Sequence, residues 1–365
     1  MSWALTIFLL ILGLALIIKG GDVFVDAAAW MAEKTGIPKL LIGATIVSIA
    51  TTLPEMIISF IAAGQGKIDM GIGNAVGSVT VNIGLIMGLA LVCMPALIKR
   101  KDYLLKAILM LGATAILVIF GLSGEIGVIP SILLIIIFAI FMSDNVRHAR
   151  AATLAQKEAR AVFEEAPQKD KDLADAAFIE QADAEMELLL ENEGAEEDIA
   201  ADAGKFARRE LLLNVLKFIL GAGAIIIGSN LLIDNGSLLA TMLGVPERII
   251  AVSIVAIGTS LPEMVTTITA IAKKEHSLSI GNIIGANIID LTLILPISSL
   301  IAGQALPVSS QLAMIDIPAC LAVGCIAMIP TLISGKFQRW QGVILIVFYL
   351  AYLLYTTGIV TFGLV

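Results

Sequence analysis

Three acidic residues, Glu55, Glu263 and Asp290, stand in the middle of long apolar runs. An ionised carboxylate near a bilayer centre costs about 2.5–3.5 kcal/mol on insertion scales, so such residues persist where a cation or a proton offsets the cost. Each Glu follows a proline and a pair of hydroxyls: Thr51-Thr52-Leu53-Pro54-Glu55 and Thr259-Ser260-Leu261-Pro262-Glu263. Proline removes a backbone donor and clashes with the preceding turn, which frees carbonyl oxygens. Hydroxyls, freed carbonyls and a carboxylate are hard oxygen ligands of the kind Na⁺ and Ca²⁺ take. The two histidines, His148 and His276, are expected in polar loops, and the three cysteines, Cys93, Cys320 and Cys325, lie inside apolar segments with no CxxC spacing and are expected to be small buried side chains. Neither type offers a metal site or a disulfide framework.

The next apolar run in each case carries a second motif. Gly73-Asn74-Ala75-Val76-Gly77-Ser78 leads to Asn82, and Gly281-Asn282-Ile283-Ile284-Gly285-Ala286 leads to Asp290. Glycines four apart on a spanning helix let backbones approach closely. Asn82 and Asp290 each follow their Glu by 27 positions.

These coincidences belong to a longer repeat. Shifted by 208, the chain matches itself without a gap over some seventy residues. Gly20 overlies Gly228, Asp26 overlies Asp234, Gly36-Ile37-Pro38 overlies Gly244-Val245-Pro246, and the Glu and Gly-Asn motifs fall in register. Greasy helices resemble one another by chance, but not in the placement of Gly, Pro, Asn and Glu.

The elements that must hold these groups are membrane helices. Apolar residues make up 58% of the chain and the mean hydropathy is +0.98, more than a soluble protein of this size could bury. Apolar runs long enough to cross a bilayer recur throughout. The predicted spans are 3–19, 38–63, 69–97, 102–121, 126–143, 211–234, 245–272, 277–302, 310–333 and 340–363. The first has no basic flank or cleavage site and reads as a span rather than a signal peptide. Five spans separate equivalent positions, so the second half enters the membrane from the opposite side. The expected fold class is an all-α membrane protein of ten transmembrane helices in two inverted-topology five-helix repeats. Residues 1–143 form the first, with its motif core at about 38–97. Residues 211–365 form the second, with its core at about 246–302.

Between them lies the acidic loop 144–210. Counting from Asp144 to Glu210 gives 18 acidic and 9 basic side chains, hence −9 of the chain's −8. The acidity therefore belongs to one segment, expected to be partly helical. Its Asp170-Lys171-Asp172 run lacks the Gly and Glu of an EF-hand. Lys and Arg gather in the odd-numbered connections: Lys19, Lys34 and Lys39, then Lys99-Arg100-Lys101, Arg147, Arg150 and Arg208-Arg209, Lys273-Lys274, Lys336 and Arg339, with Lys67 and Arg248 as the exceptions in even ones. The positive-inside rule puts those connections and residues 144–210 in the cytoplasm and both termini outside a cell membrane. Lys106 and Lys217, near helix starts, are expected to snorkel, and Asp316 to lie near the outer interface.

The two motif segments resemble the α-repeats of the cation/calcium antiporter superfamily, most of all its sodium/calcium exchanger branch. The shared signals are the [TS]-[TS]-L-P-E core and the G-N-x-x-G helix with Asn or Asp nine residues after its first Gly. The resemblance implies that Glu55 and Glu263 are central Ca²⁺ ligands. It also implies that Thr51, Thr52, Thr259, Ser260, Ser78, Asn82 and Asp290 complete the Na⁺ and Ca²⁺ sites, with carbonyls near Ser48 and Ala256. It further implies a secondary antiporter, not an enzyme, in which the first and sixth helices slide against the other eight. The transported ions Ca²⁺ and Na⁺ and the lipid bilayer are the expected partners; no cofactor and no nucleic acid is expected.

Departures exist. Ala286 stands opposite Ser78, Ala50 opposite Gly258 and Val79 opposite Asn287. The proton-coupled branch carries G-N-x-x-E, whereas Gly77 and Gly285 hold that position here, which favours Na⁺ coupling. H⁺- or K⁺-coupled exchange, a cation channel and a non-transporting receptor are the competing readings.

Overall fold

A computed structural model describes residues 3–35, 37–93, 100–165, 199–243 and 256–357. Among the described residues the architecture is helical, apart from one two-residue strand pair. The helices are α1 (Trp3–Thr35), α2 (Lys39–Gly64), α3 (Ile68–Cys93), α4 (Arg100–Leu122), α5 (Val128–Glu165) and α6 (Ile199–Met242). After them come the short α7 (Ala256–Thr259), α8 (Leu261–Ala272), α9 (His276–Ala302), α10 (Leu312–Ser334) and α11 (Arg339–Thr356). Among the described residues nine helices are long and apolar enough to cross a bilayer. The remaining predicted span, 245–272, is represented by α7 and α8; its first residues, with Gly244, Val245, Pro246 and Arg248, lie outside the described residues. So do Gly36, Lys99 and the Asp170-Lys171-Asp172 run.

Burial sorts the helices into layers. In α3 and α9, 72% and 78% of the most apolar stretch is buried, against 22–50% in the other spans. These two motif-bearing helices form the axis of the bundle. The outer helices turn large apolar side chains outward, for example Phe8, Ile11 and Leu14 on α1 and Leu212, Ile219 and Leu220 on α6. Apolar exposure on that scale suits lipid rather than water. Trp3 and Trp340, both half exposed, sit at the starts of α1 and α11, where interface anchors belong.

Helix directions follow from close contacts. The α2–α3 turn at 65–67 folds the two helices back, with Asn74 against Glu55 and Ser59. α9 runs parallel to α2: Gly285 packs against Ala44 and Ser48, and Gly281 against Leu40 and Ala44. α8 reverses into α9 through the turn at 273–275. It follows that α2 is antiparallel to its repeat partner α8, and α3 to α9. The inverted repeat is thus a property of the packing as well as of the sequence.

α1 and α6 obey the same two-fold. A Cβ on Gly13 would sit 2.9 Å from the Gly228 carbonyl oxygen, and one on Gly20 would sit 3.0 Å from that of Gly221. Gly221 and Gly228 lie 208 positions after Gly13 and Gly20, so each contact is the other's image. Backbones meet there because no side chain intervenes.

One pole gathers the turns at 65–67, 123–127 and 303–309. There β1 (Glu125–Ile126) pairs with β2 (Leu306–Pro307), and Lys67 and Asp69 approach Gln304. The other pole carries ion pairs: Lys39 with Glu33 at 3.2 Å and Glu275 at 2.7 Å, and Lys273 with Asp26 at 2.6 Å.

Several expectations are corrected. α1 runs to Thr35, far past the predicted end at 19, because no proline interrupts it and Ala27, Ala28, Ala29 and Ala32 favour helix beyond the Gly20-Gly21 pair. At 33 residues it is ~50 Å long, so Lys19 lies within the helix rather than in a connection. α5 carries the chain helically to Glu165, so His148 is on a helix, beside Asp144 at 3.2 Å, and His276 opens α9, so neither histidine lies in a loop. The acidic segment is helical at both described ends. Lys106 does not snorkel: it is buried, with Nζ 3.3 Å from Asp144 Oδ2. Lys217 is exposed as expected. All three cysteines are free, and Cys93 is exposed rather than packed inside.

Candidate functional site

Pro54 and Pro262 act differently. In the second repeat the helix breaks at Ser260 (φ −90°, ψ 12°), which separates α7 from α8 and places Pro262 in the first turn of α8. There its missing N–H costs nothing. In the first repeat the helix continues through Pro54 without a break. The expectation of an opened helix therefore holds in one half only.

α3 and α9 contribute a local feature that the sequence did not announce. Both widen into a π-helical turn at equivalent points, Asn82–Met87 and Asp290–Ile294. Such turns re-aim side chains and gather at functional sites. The first residue of each is the candidate ligand, Asn82 or Asp290.

The candidate residues converge. Glu55, Glu263, Asp290, Ser48, Thr51, Thr52, Ser78, Asn82 and Ser260 are all buried, none more than 3% exposed. Thr52 Oγ1 donates to Glu263 Oε1 at 3.4 Å, joining the two halves. Thr51 also lies beside Glu263, and Ser260 lies beside Glu55. Because 52 pairs with 260 and 55 with 263, these cross-contacts are images under the repeat. Thr51 Oγ1 bonds Asn282 Oδ1 at 3.2 Å and the Ser48 carbonyl at 3.3 Å. Asn82 Nδ2 donates to Asn287 Oδ1 at 3.1 Å. Asn74 Nδ2 donates to the Glu55 carbonyl at 3.1 Å and to Ser59 Oγ at 3.0 Å. Ala256 opens α7 and Thr259 closes it, so both sit on the strand of chain leading to Ser260.

The electrostatics are unusual for a protein interior. Among the described residues, eight buried oxygens at this centre have no hydrogen-bond partner: both of Glu55, both of Asp290, Glu263 Oε2, Ser78 Oγ, Asn82 Oδ1 and Ser260 Oγ. Buried polar atoms are nearly always paired, and unpaired buried carboxylates are the costliest case. The three acids are close enough for their charges to act on one another. Among the described residues no three acidic, histidine or cysteine side chains converge closely enough to hold a metal by themselves. A cation here would draw on hydroxyl, amide and carbonyl oxygens as well, a donor set that fits Na⁺ and Ca²⁺ better than a transition metal.

The ligand candidates read from the sequence do not include the residues that orient them. Asn74 and Asn282, and Asn287, hold the hydroxyls and amides in place. The signal was present: Asn74 and Asn282 occupy the same position in the two repeats.

Comparison with known proteins bears on the family and the fold. Residues 5–143 and 213–358 match the family described as "Sodium/calcium exchanger protein". The sodium/calcium exchanger MaX1 of Methanosarcina acetivorans is 29% identical over 361 residues, covering 94% of this chain and 96% of MaX1. The inner membrane protein YrbG of Escherichia coli is 30% identical over 295 residues, covering 80% and 79%. The solved structure of the sodium-calcium exchanger NCX_Mj soaked with Na⁺ and Sr²⁺ shares the fold, with a TM-score of 0.71, 23% identity and coverage of 96% and 98%. With most of its length matched on both sides of the acidic segment, this multi-pass membrane chain belongs to the sodium/calcium exchanger protein family.

Proposed function

We propose that the chain is a secondary antiporter that exchanges Ca²⁺ for Na⁺ by alternating access. Glu55 and Glu263 serve as the central Ca²⁺ ligands in this reading. Thr51, Thr52, Thr259, Ser260, Ser78, Asn82 and Asp290, with carbonyls near Ser48 and Ala256, complete overlapping Na⁺ and Ca²⁺ sites. The observation that carries it is the set of unpaired buried oxygens shared between antiparallel halves. A divalent cation would satisfy two carboxylates at once; Na⁺ ions would use the same oxygens. Shared ligands make the two occupancies exclusive, which is the condition for exchange rather than leak. α1 and α6, in contact through bare backbone at Gly13, Gly20, Gly221 and Gly228, are suited to slide as a pair. Exclusive occupancy and two opposed halves favour an exchanger over a channel.

Residues 1–143 and 211–365 then act as the two repeats, with 144–210 as a cytoplasmic segment of a cell-membrane protein. The pole bearing Lys39 and Lys273 faces the cytoplasm by the positive-inside rule. H⁺- or K⁺-coupled exchange is the second reading, and Gly77 and Gly285 weigh against the proton form. Vesicle ⁴⁵Ca²⁺ counterflow with imposed Na⁺, K⁺ or H⁺ gradients tests all three. Uptake driven by a Na⁺ gradient alone is expected; uptake that ignores Na⁺ would sink the sodium-coupled reading.

A further inference from the structure

A cavity of about 490 Å³ leads away from the candidate site toward the pole of the 65–67 and 303–309 turns. It follows α3 from Met70 to Val81, eleven residue steps or ~16 Å of helix. Its inner end is marked by Ser78 and Thr259, both candidate ligands. Ser78 Oγ is buried and has no hydrogen-bond partner among the described residues. Farther out, at the start of α10, the cavity wall holds Gln311 and Asp316, with Tyr352 of α11 opposite. Asp316 is the one carboxylate among the described lining residues.

Asp316 is held, but not saturated. Tyr352 Oη donates to Oδ1 at 2.8 Å, and Gln311 is close enough to bond the same carboxylate. A carboxylate can accept about four hydrogen bonds, so it retains capacity toward the cavity. It is 9% exposed and lines the cavity within a largely apolar wall. Low-dielectric walls focus the field of a single charge along such a path.

We infer that Asp316, braced by Tyr352, is a cation-recruiting residue: a transient way-station for Na⁺ or Ca²⁺ between one face of the membrane and Ser78. It rests on the proposed exchange function and adds to it a sided entry route built from α3, α10 and α11. Asp316 differs in kind from the deep carboxylates. It has a committed donor and stands outside their cluster, so it acts on how fast ions arrive and not on which ions the centre holds.

The test uses proteoliposomes of known orientation, with ⁴⁵Ca²⁺ presented to one face at a time. Asp316→Asn is expected to raise the half-saturating Ca²⁺ concentration roughly threefold to tenfold at the cavity face, the low end of what charge-lined clefts contribute. The other face and the maximal rate should be unchanged. The effect should shrink as ionic strength rises. Asp316→Glu should restore most of the affinity, and Tyr352→Phe, which keeps the charge, should stay near the wild type at the cavity face. An unshifted affinity at the cavity face overturns the inference, as does an equal shift at both faces or a failure of Asp316→Glu to rescue. If wild-type protein exchanges no cation in this assay, it is the exchange function that fails first. If wild type exchanges and only the sidedness is missing, the entry route fails alone.

Discussion

Thr52, from the first repeat, places its hydroxyl 3.4 Å from a carboxylate oxygen of Glu263 in the second. Its repeat counterpart Ser260 lies beside Glu55. The two halves therefore exchange hydroxyls across a pseudo-two-fold axis, and neither half owns a complete site. Loss of either hydroxyl should have a similar effect. Thr52→Val and Ser260→Ala each remove one hydroxyl oxygen from the shared site and are each expected to weaken Ca²⁺ exchange by about threefold to tenfold, or ~0.7–1.4 kcal/mol. Initial ⁴⁵Ca²⁺ uptake at sub-saturating Ca²⁺ would measure it. A large loss for one variant beside none for the other would contradict a shared, two-fold site.

The carboxylates carry more. Glu55→Gln and Glu263→Gln keep the side-chain shape and remove the charge that a divalent ion must meet. Each should lower Na⁺-driven Ca²⁺ uptake by at least ~100-fold, corresponding to about 2.7 kcal/mol. Protein level and thermal stability should hold or improve, because an unpaired buried carboxylate has been neutralised. Uptake within a few-fold of wild type in either variant would rule out that glutamate as a ligand.

Asp290 is expected to behave otherwise. Three acids in one dry pocket repel one another, and a divalent ion compensates only two of the charges. Asp290→Asn should accordingly leave Ca²⁺ exchange largely intact, as Asn82 already stands at the equivalent place in the first repeat. Complete loss of exchange in that variant, at normal expression, would assign Asp290 an ionised role.

How far the sequence spoke depended on whether a feature was coded by residue type or by packing. Glu55, Glu263 and Asp290 were legible because a charge inside an apolar run has few explanations. The inverted repeat was legible because Gly, Pro and Asn recur at a fixed offset with an odd number of spans between. The π-helical turns at Asn82 and Asp290 were not, since widening a helix by one residue leaves no compositional mark. Nor was the asymmetry between Pro54 and Pro262, which depends on whether neighbouring helices hold the turn closed. The burial of Lys106 was not legible for the same reason: snorkelling is the default for a lysine near a helix start, and its half-buried partner Asp144 lies 38 residues away.

The glycines of α1 and α6 give a prediction about motion. A Cβ on Gly228 would lie 2.7 Å from the Gly13 carbonyl oxygen, and the neighbour is backbone, which cannot turn aside. Gly228→Leu should push the helices apart, at a cost typical of overpacking, about 1–3 kcal/mol, and slow exchange more than it weakens Ca²⁺ binding. Gly223, whose Cβ would meet nothing within 4 Å among the described residues, provides the control: Gly223→Ala should transport normally. Equal behaviour of the two variants would mean that close approach of α1 and α6 has no part in the cycle.

Lys106 and Asp144 supply a test of structure independent of transport. The Lys106 side chain is 1% exposed and that of Asp144 17%, with 3.3 Å between the charges. Removing one partner of a buried pair costs about 3–5 kcal/mol, because the other charge is left without compensation. The partial exposure of Asp144 and its contact with His148 Nδ1 at 3.2 Å soften this, so Lys106→Met should cost roughly 2–3 kcal/mol. The double variant Lys106→Met with Asp144→Asn should recover most of that loss, since no unpaired charge remains. Thermal unfolding in detergent reads the stability, while Ca²⁺ affinity, set elsewhere in the bundle, should not move. Stability in the double variant no better than in Lys106→Met would show that the lysine acts by packing its aliphatic stem and not through its charge.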